Sequence, residues 1–271
     1  MQQVCQVSQR RACVVLGVAL TSARYKSVKD DADLIEALAR VRVKYPSWGY
    51  RKLTDVLRGQ GWHLNYKRVY RLWREHGWQR RTPKPRTFKT KGDSSNACDV
   101  RRAEYGNHAW AIDIVEDRTQ SGQKLRMLTV LDEYTREALH IEVQPKIGAK
   151  QVRQVLEQLF SRRGTPVFIR SDNGSEFTAK LIQQSLKACG CENAWIAPGS
   201  PWQNGKNERF NGILSQELLS REVWGNTLEA QVMVEKWRQQ YNQIRPHGSL
   251  GMMTPAACAE QQKNLGNWAR N

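Results

Sequence analysis

Three acidic residues lie in settings where a carboxylate could do chemistry. Asp113 interrupts an apolar run, and Asp172 ends another and is followed by Asn–Gly. Glu208 lies where a helical pattern begins. A carboxylate in an apolar run is costly to bury unless it is paired or bound to a metal, and ligand sites gather at strand ends in α/β sheets. Asp172 lies 59 positions after Asp113, and 35 residues separate it from Glu208. If these segments are neighbours in the fold, the three carboxylates converge.

A site built only from carboxylates favours Mg²⁺ or Mn²⁺, because these cations prefer oxygen ligands. Two such ions could activate a water or a DNA 3′-hydroxyl and stabilise the leaving oxygen of a phosphodiester. We expect Asp113, the carboxylate most enclosed by apolar sequence, to bridge both ions. Zinc is not expected, because the chain has no CxxC or HxxxH pair, and only one residue separates Cys189 from Cys191.

Other acids compete for these roles. Glu116 points to the opposite face of a strand from Asp113, since side chains alternate. Asp117 is expected to share no face with Asp113 if the strand ends at the turn that begins at Arg118. Asp132 lies at a strand end, where a turn or capping role is favoured. Glu176 could assist the second carboxylate from nearby.

The elements that must position the carboxylates follow the order three strands, helix, strand, helix, strand, helix. Three short strands with close turns indicate an antiparallel meander, and the whole order predicts an α/β domain with a mixed five-stranded sheet. The predicted strands are 109–115, 124–131, 137–143, 166–171 and 192–196, and the predicted helices are 148–163, 181–188, the helix carrying Glu208, and 228–241.

The charge of the chain points to a polyanion partner. The 271 residues include 43 Lys and Arg against 26 Asp and Glu, a net charge of +17. Residues 1–100 hold 21 basic and 8 acidic residues, whereas residues 101–271 hold 22 and 18. Nucleic acid is the favoured partner, because the basic residues interleave with aromatic ones. The alternative is a well-solvated basic surface.

The basic N-terminal part contains helical patterns at 31–44, 50–58 and 65–76, the last with Asn65 as its N-cap. A basic helix after a short helix and a tight turn suits docking in the DNA major groove; a small helical bundle is the alternative. Residues 8–25 could be a second helix-turn-helix or only a packed helical pair. The DNA-binding candidates here are Lys67, Arg68, Arg71 and Arg74, followed by Arg80 and Arg81 in a basic, proline-containing linker.

The sequence gives no sign of membrane insertion. The apolar run 12–20 is too short to span a bilayer, and no convincing signal-peptide cleavage site follows it. Six cysteines are ordinary for a reducing compartment. We therefore expect a cytoplasmic, nucleoid-associated protein.

Several boxes together resemble the DDE transposases of bacterial insertion sequences, specifically the orfB type made from the second reading frame. The 35-residue gap matches the DD(35)E spacing, which retroviral integrases share. The matching boxes are Trp48–Leu53 with Lys67–Leu72, Trp110–Asp113, Ser171–Phe177, Asn207–Asn211, Tyr241–Leu250 and Thr254–Pro255. The resemblance covers nearly the whole chain.

The resemblance implies an RNase H-like catalytic domain that uses Asp113, Asp172 and Glu208 as catalytic metal ligands for two divalent ions. It also implies cleavage of element ends, strand transfer into target DNA, a homo-oligomer on paired ends, and a first-frame (orfA-type) product as partner or fusion. Lys206 and Arg209 become DNA-binding candidates. The implied regions are 1–27, a helical segment; 28–79, the helix-turn-helix domain; 80–98, the linker; 99–258, the catalytic core with its C-terminal helix; and 259–271, a tail.

Two departures and two alternatives accompany the resemblance. Many members carry Lys or Arg seven residues after the glutamate, where this chain has Ser215, and the box after Asp113 continues Ile–Val–Glu. The C-terminal signature around Arg245 could contact DNA or dock the last helix, and docking is favoured. The rival functions are a DNA-binding regulator with an inactive core and a different RNase H-like nuclease.

Overall fold

The computed structural model describes residues 7–24, 30–79, 101–195 and 204–266. Arg80, Arg81 and the rest of the predicted linker, 80–98, lie outside the described residues. The chain divides into two units, Met1–Lys44 and Tyr45–Asn271. This division falls inside the predicted helix-turn-helix domain, so its first helix belongs to the first unit.

The first unit is helical. It contains α1 (Gln9–Val15), α2 (Leu20–Arg24) and α3 (Ala32–Lys44). Ser8 caps α1, and its hydroxyl accepts a hydrogen bond from the backbone N–H of Arg11 at 3.3 Å. Leu34, Leu38 and Val41 of α3 are buried, as their helical spacing predicts.

The second unit begins with two packed helices, α4 (Tyr50–Gly59) and α5 (Tyr66–Glu75). Asn65 caps α5 by accepting a hydrogen bond from the N–H of Lys67 at 2.8 Å. The apolar side chains Leu53, Leu57, Val69, Leu72 and Trp73 are buried. The predicted pair of helices with a tight turn is therefore confirmed.

A five-stranded mixed sheet in the order β3-β2-β1-β4-β5 forms the centre of the second unit. Strands β1, β2 and β3 are antiparallel neighbours, and β4 and β5 continue the sheet parallel to β1. The predicted meander and mixed sheet are confirmed. The strands are β1 (Ala109–Arg118), β2 (Lys124–Asp132), β3 (Ala138–Gln144), β4 (Phe168–Ser171) and β5 (Glu192–Trp195).

Helices cover both faces of the sheet, so each face has its own apolar core. The first core includes Trp110 and Ile112 of β1 and lies under α6 (Ala149–Arg163) and α8 (Lys180–Ala188). The second core lies under α9 (Gly205–Leu214) and α10 (Thr227–Gln243). A short helix, α7 (Ser175–Thr178), follows β4. Alternation along β1 therefore turns Asp113 toward the α9 side.

The predicted C-terminal boundary at residue 258 falls inside a helix. Helix α11 spans Pro255–Asn264, so the predicted tail begins inside a helix. Thr254 accepts a hydrogen bond from the N–H of Ala257 at 3.3 Å, and proline is favoured in the first helical turn, where its missing N–H is not needed. Among the described helices, none is long and apolar enough to cross a membrane.

Candidate active site

Asp113 lies on the central strand β1, opposite Thr129 of β2. Its Oδ1 accepts a hydrogen bond from the N–H of Ile114, and its Oδ2 accepts one from Nδ2 of Asn211 on α9, each at 2.8 Å. The Thr129 hydroxyl lies 3.2 Å from the Asp113 carbonyl oxygen and 3.3 Å from Oδ1 of Asn211. The strand and the helix thus hold this carboxylate in one orientation.

Asn211 is a site residue to which sequence reasoning gave no role. It lies three positions after Glu208, and residues three apart share one face of a helix. That spacing is the signal that could have identified it. Because the amide bonds Asp113, α9 brings Glu208 to the same region of the sheet as the first carboxylate.

Asp172 directly follows β4, and its side chain is exposed. Its Oδ1 accepts a hydrogen bond from the N–H of Gly174 at 3.0 Å, which closes a tight turn. A Cβ atom at Gly174 would lie 3.1 Å from both Oδ1 of Asp172 and Oε2 of Glu176. The glycine therefore leaves room for two carboxylates that face the same turn.

Glu176 is paired rather than free. The guanidinium of Arg126 on β2 bonds its carboxylate and also donates to the Ile147 carbonyl oxygen at 2.7 Å. The ion pair keeps the pKa of Glu176 below its usual range, together with a hydrogen bond from its own backbone N–H, which is the larger cause. Glu176 therefore anchors the turn of Asp172 to the sheet.

Glu208 lies in the first turn of α9 with an exposed side chain. Burial, together with the negative charges of Asp172 and Glu208, raises the pKa of Asp113 to about 6. The three predicted carboxylates therefore interact electrostatically. Among the described residues, however, no three acidic, histidine or cysteine side chains are close enough together to enclose a metal ion.

Two neighbouring acids have structural roles. Strand β1 continues to Arg118, so Asp117 lies on the same face as Asp113, contrary to the expected shorter strand. Its Oδ2 accepts a hydrogen bond from the indole N–H of Trp224 at 2.7 Å. Asp132 is fully buried and accepts three backbone N–H bonds at 2.7–3.0 Å, which confirms its predicted turn role.

The predicted DNA-binding residues occupy different settings. Lys67, Arg71 and Arg74 form an exposed stripe on α5, with Arg71 paired to Glu75 at 3.1 Å, and Arg68 is half-buried. Lys206 donates to Oε2 of Glu133 at 3.0 Å, in a buried cluster that Arg170 completes. Arg209 on α9 is exposed.

The C-terminal signature is packed inside the protein, in agreement with the docking interpretation. Tyr241, Arg245 and His247 are all buried. Arg245 pairs with Glu217 at 3.0 Å, and Oε1 of Glu217 also accepts the indole N–H of Trp48 at 2.9 Å. A hydrogen bond therefore links Trp48, just before α4, to Glu217, which follows α9.

Comparisons with known proteins agree with this architecture. The chain matches an HTH-like domain family over residues 29–86 and integrase core domain families over residues 104–201 and 189–255. It is 34% identical over 260 residues to the insertion element IS407 uncharacterized 31.7 kDa protein of Burkholderia multivorans, covering 95% of this chain and 92% of that protein.

A second relative and a solved structure extend the comparison. Transposase InsD for insertion element IS2A/D/F/H/I/K of Escherichia coli is 28% identical over 245 residues, covering 86% of this chain and 80% of that protein. A chain in the cryo-EM structure of the simian T-cell lymphotropic virus intasome, in complex with PP2A regulatory subunit B56 gamma, has a similar fold. Its TM-score is 0.51 at 17% identity, over 82% of this chain and 74% of that chain. The chain therefore belongs to the insertion-element DDE transposases of the orfB type, with an RNase H-like integrase core and an HTH-like N-terminal region.

Proposed function

We propose that this transposase cleaves the ends of its element and joins them to target DNA, with Asp113, Asp172 and Glu208 as catalytic ligands of divalent metal ions. The observation that carries this proposal is the placement of the three carboxylates: β4, which ends next to Asp172, pairs with the strand of Asp113, and Asn211 joins the helix of Glu208 to Asp113 at 2.8 Å. Burial, and then the negative charges of Asp172 and Glu208, raise the pKa of Asp113. Such crowding of negative charge favours a bound cation.

The donor set fits Mg²⁺ or Mn²⁺, because it offers only oxygen ligands. Mg²⁺ usually keeps several waters and binds through one or two carboxylates and substrate phosphates. Exposed carboxylates such as Asp172 and Glu208 suit an arrangement that DNA phosphates complete. Bound ions would supply an activated oxygen nucleophile and charge stabilisation of the leaving oxygen, and we propose two of them, without zinc.

The chain's own residues would orient these groups. Asn211 and the N–H of Ile114 hold the Asp113 oxygens, and the Gly174 turn holds Asp172. Arg209, beside Glu208, offers a cation to the DNA backbone, as does the exposed stripe on α5. These contacts would fix the scissile phosphate against the carboxylates.

We further propose that the partners are element-end and target DNA, other copies of this chain on paired ends, and a first-frame product. Light scattering with and without end DNA would test the oligomer. A mass that remains that of one chain on paired ends would contradict it.

The function is tested with labelled duplexes that carry the ends of the source element, in Mg²⁺ or Mn²⁺. The wild type is expected to yield products joined to target DNA, and Asp172→Asn and Glu208→Gln to yield none. Glu157→Gln is the matched control, because this exposed acid lies on α6 and pairs with Arg153 at 2.7 Å. It should retain the activity.

The other outcomes separate the rivals. Joined products from both variants would overturn the assignment of the carboxylates. Preference for RNA–DNA hybrids would indicate a different RNase H-like nuclease. The wild type could also bind DNA without cleaving it. If it stays inactive after the first-frame product is added, the protein is a regulator.

A further inference from the structure

A cavity of about 690 Å³ lies beside the face of α9 that carries Gly205, Arg209 and Ile213. We call it the basic cavity. Its volume is within the range of about 300–1,000 Å³ typical of sites for small ligands. Its cationic walls come from Lys52, Arg136, Lys206, Arg209 and Arg245, and its apolar floor from Leu131, Phe210, Ile213 and Pro246.

The positive charges of the basic cavity are only partly balanced. Glu217 neutralises Arg245, and Glu133 neutralises Lys206. In the part of the chain that the structure describes, the side chains of Lys52, Arg136 and Arg209 have no carboxylate partner, and the lining includes no acidic residue. The ring of Trp48 lies 5.7 Å from Nζ of Lys52, and the negative charge of Glu217 also favours the charged lysine.

The positively charged side chains of the basic cavity repel one another, and they are partly shielded from water. Burial lowers the pKa of Lys52 to about 8, and the charge of Arg245 contributes. Burial also lowers the pKa of Arg136. His247, which lines the same cavity, has its pKa lowered to about 3 by burial and by the surrounding cations. An anion in the cavity would relieve this repulsion.

Arg136 adds a backbone observation. It lies in the turn between β2 and β3 with φ of 62°, a left-handed conformation that an arginine rarely adopts. Glycine would adopt it without steric cost. Strain of this kind is commonly retained at binding sites. Here the strained residue contributes its guanidinium to the basic cavity.

The basic cavity and Glu208 lie on adjoining faces of α9. Arg209 follows Glu208 directly, and successive residues of an α-helix are about 100° apart around an axis whose full width is about 10–12 Å. A DNA strand that passes Glu208 could therefore place another of its phosphates in the basic cavity.

We propose that the basic cavity binds one nucleotide of the DNA strand that passes Glu208, with its phosphate on Lys52, Arg136 and Arg209 and its sugar on the apolar floor. The proposal deepens the proposed function and rests on it, because DNA is taken as the substrate. A single phosphate with three cationic contacts would position the strand without reading its sequence.

The test measures DNA binding by fluorescence anisotropy in EDTA, where no cleavage occurs. A labelled element-end duplex is titrated at several salt concentrations. Lys52→Gln and Arg136→Gly should each weaken binding about five- to tenfold at 0.1 M salt and reduce the salt slope, by no more than the value of about 0.9 for one neutralised phosphate. Arg136→Gly should also raise the melting temperature, since it removes backbone strain, so its weaker binding would not reflect misfolding.

Two controls and one DNA modification complete the experiment. Met252→Gly relieves another left-handed residue, with φ of 69°, that does not line the basic cavity, and Arg153→Gln removes an exposed cation from α6. Both should bind DNA as the wild type does. One neutral methylphosphonate at the phosphate bound in the cavity should weaken binding by the wild type more than binding by Arg136→Gly, which has already lost one of the three cations.

Wild-type affinity and salt slope in both cavity variants would overturn the proposal. That result would leave the proposed function intact if Asp172→Asn still abolished strand transfer. Absence of strand transfer from the wild type would instead count against the proposed function, while the binding data in EDTA would still decide the cavity.

Discussion

The side-chain amide of Asn211 donates a hydrogen bond of 2.8 Å to Oδ2 of Asp113, across 98 positions of sequence. It couples the helix that carries Glu208 to the strand that carries the first carboxylate. Hydrogen-bond donors of this kind set which oxygen lone pairs of a ligand face a metal.

We expect Asn211→Ala to raise the Mg²⁺ concentration needed for half-maximal strand transfer by about 10- to 100-fold. This is the usual effect of losing a group that orients a metal ligand. The measurement is the Mg²⁺ concentration that gives half-maximal activity. Gln184→Ala, an exposed amide on α8, is the control and should behave as the wild type. An unchanged Mg²⁺ requirement in Asn211→Ala would show that the bond has no such role.

We expect Gly174→Ala to reduce strand transfer about 10-fold or more while the protein stays folded. The new methyl group would lie 3.1 Å from the carboxylates of Asp172 and Glu176, so Asp172 must move. Gly174 has φ of −57°, so alanine brings no backbone strain.

The matched control for this change is Gly59→Ala on α4, where nothing lies within 4 Å of the new atom. Activity and circular dichroism are measured for both variants. Full activity in Gly174→Ala would mean that the turn tolerates a displaced carboxylate and does not hold it for catalysis.

The sheet and the three carboxylates could be predicted because their signals are local. Alternating apolar residues predict the strands, and the box around Asp113 lies in such a strand. Asn211 could be found from its three-residue spacing after Glu208. Helix α11 was not predicted. Pro255 belongs to the C-terminal family signature, but proline also often starts a helix.

Long-range contacts carry no comparable local signal. Trp48 and Glu217 are 169 positions apart, and neither residue type indicates the other as a partner. Three of the five cations of the basic cavity, Lys52, Arg136 and Arg209, come from α4, the turn between β2 and β3, and α9. Only the packing of these elements brings them together, so composition could predict a basic protein but not this cavity.

We expect Glu217→Gln to lower the free energy of unfolding by about 3–5 kcal/mol, because it leaves the buried guanidinium of Arg245 without its counter-charge. Trp48→Phe should cost about 1–2 kcal/mol through the lost hydrogen bond. Urea denaturation measures both. The control is Glu157→Gln, which breaks the exposed pair with Arg153 and should cost about 1 kcal/mol or less. If Glu217→Gln and Glu157→Gln lowered the free energy of unfolding equally, the result would contradict burial of the Glu217–Arg245 pair.

His247 makes stability depend on pH. Burial, with the charges of Arg245, Lys52, Arg136 and Arg209, lowers its pKa to about 3 in the folded state, from about 6.5 when unfolded. Arg245 lies 3.5 Å from Nε2 of His247, and its carboxylate partner is Glu217. A depressed histidine pKa means that the folded state keeps the ring neutral while the unfolded state binds a proton. The contribution to stability is therefore full above pH 6.5 and falls as the pH drops toward 3.

Between pH 7 and pH 5 this linkage amounts to about 2 kcal/mol. We expect the free energy of unfolding of the wild type to fall by about that much more than that of His247→Asn over the same interval. The comparison uses the change with pH in each protein, so a general loss of packing in the variant cancels, as do the other four histidines. Parallel pH dependences would show that His247 takes up its proton in the folded protein, and hence that its ring is not held among the cations of the basic cavity.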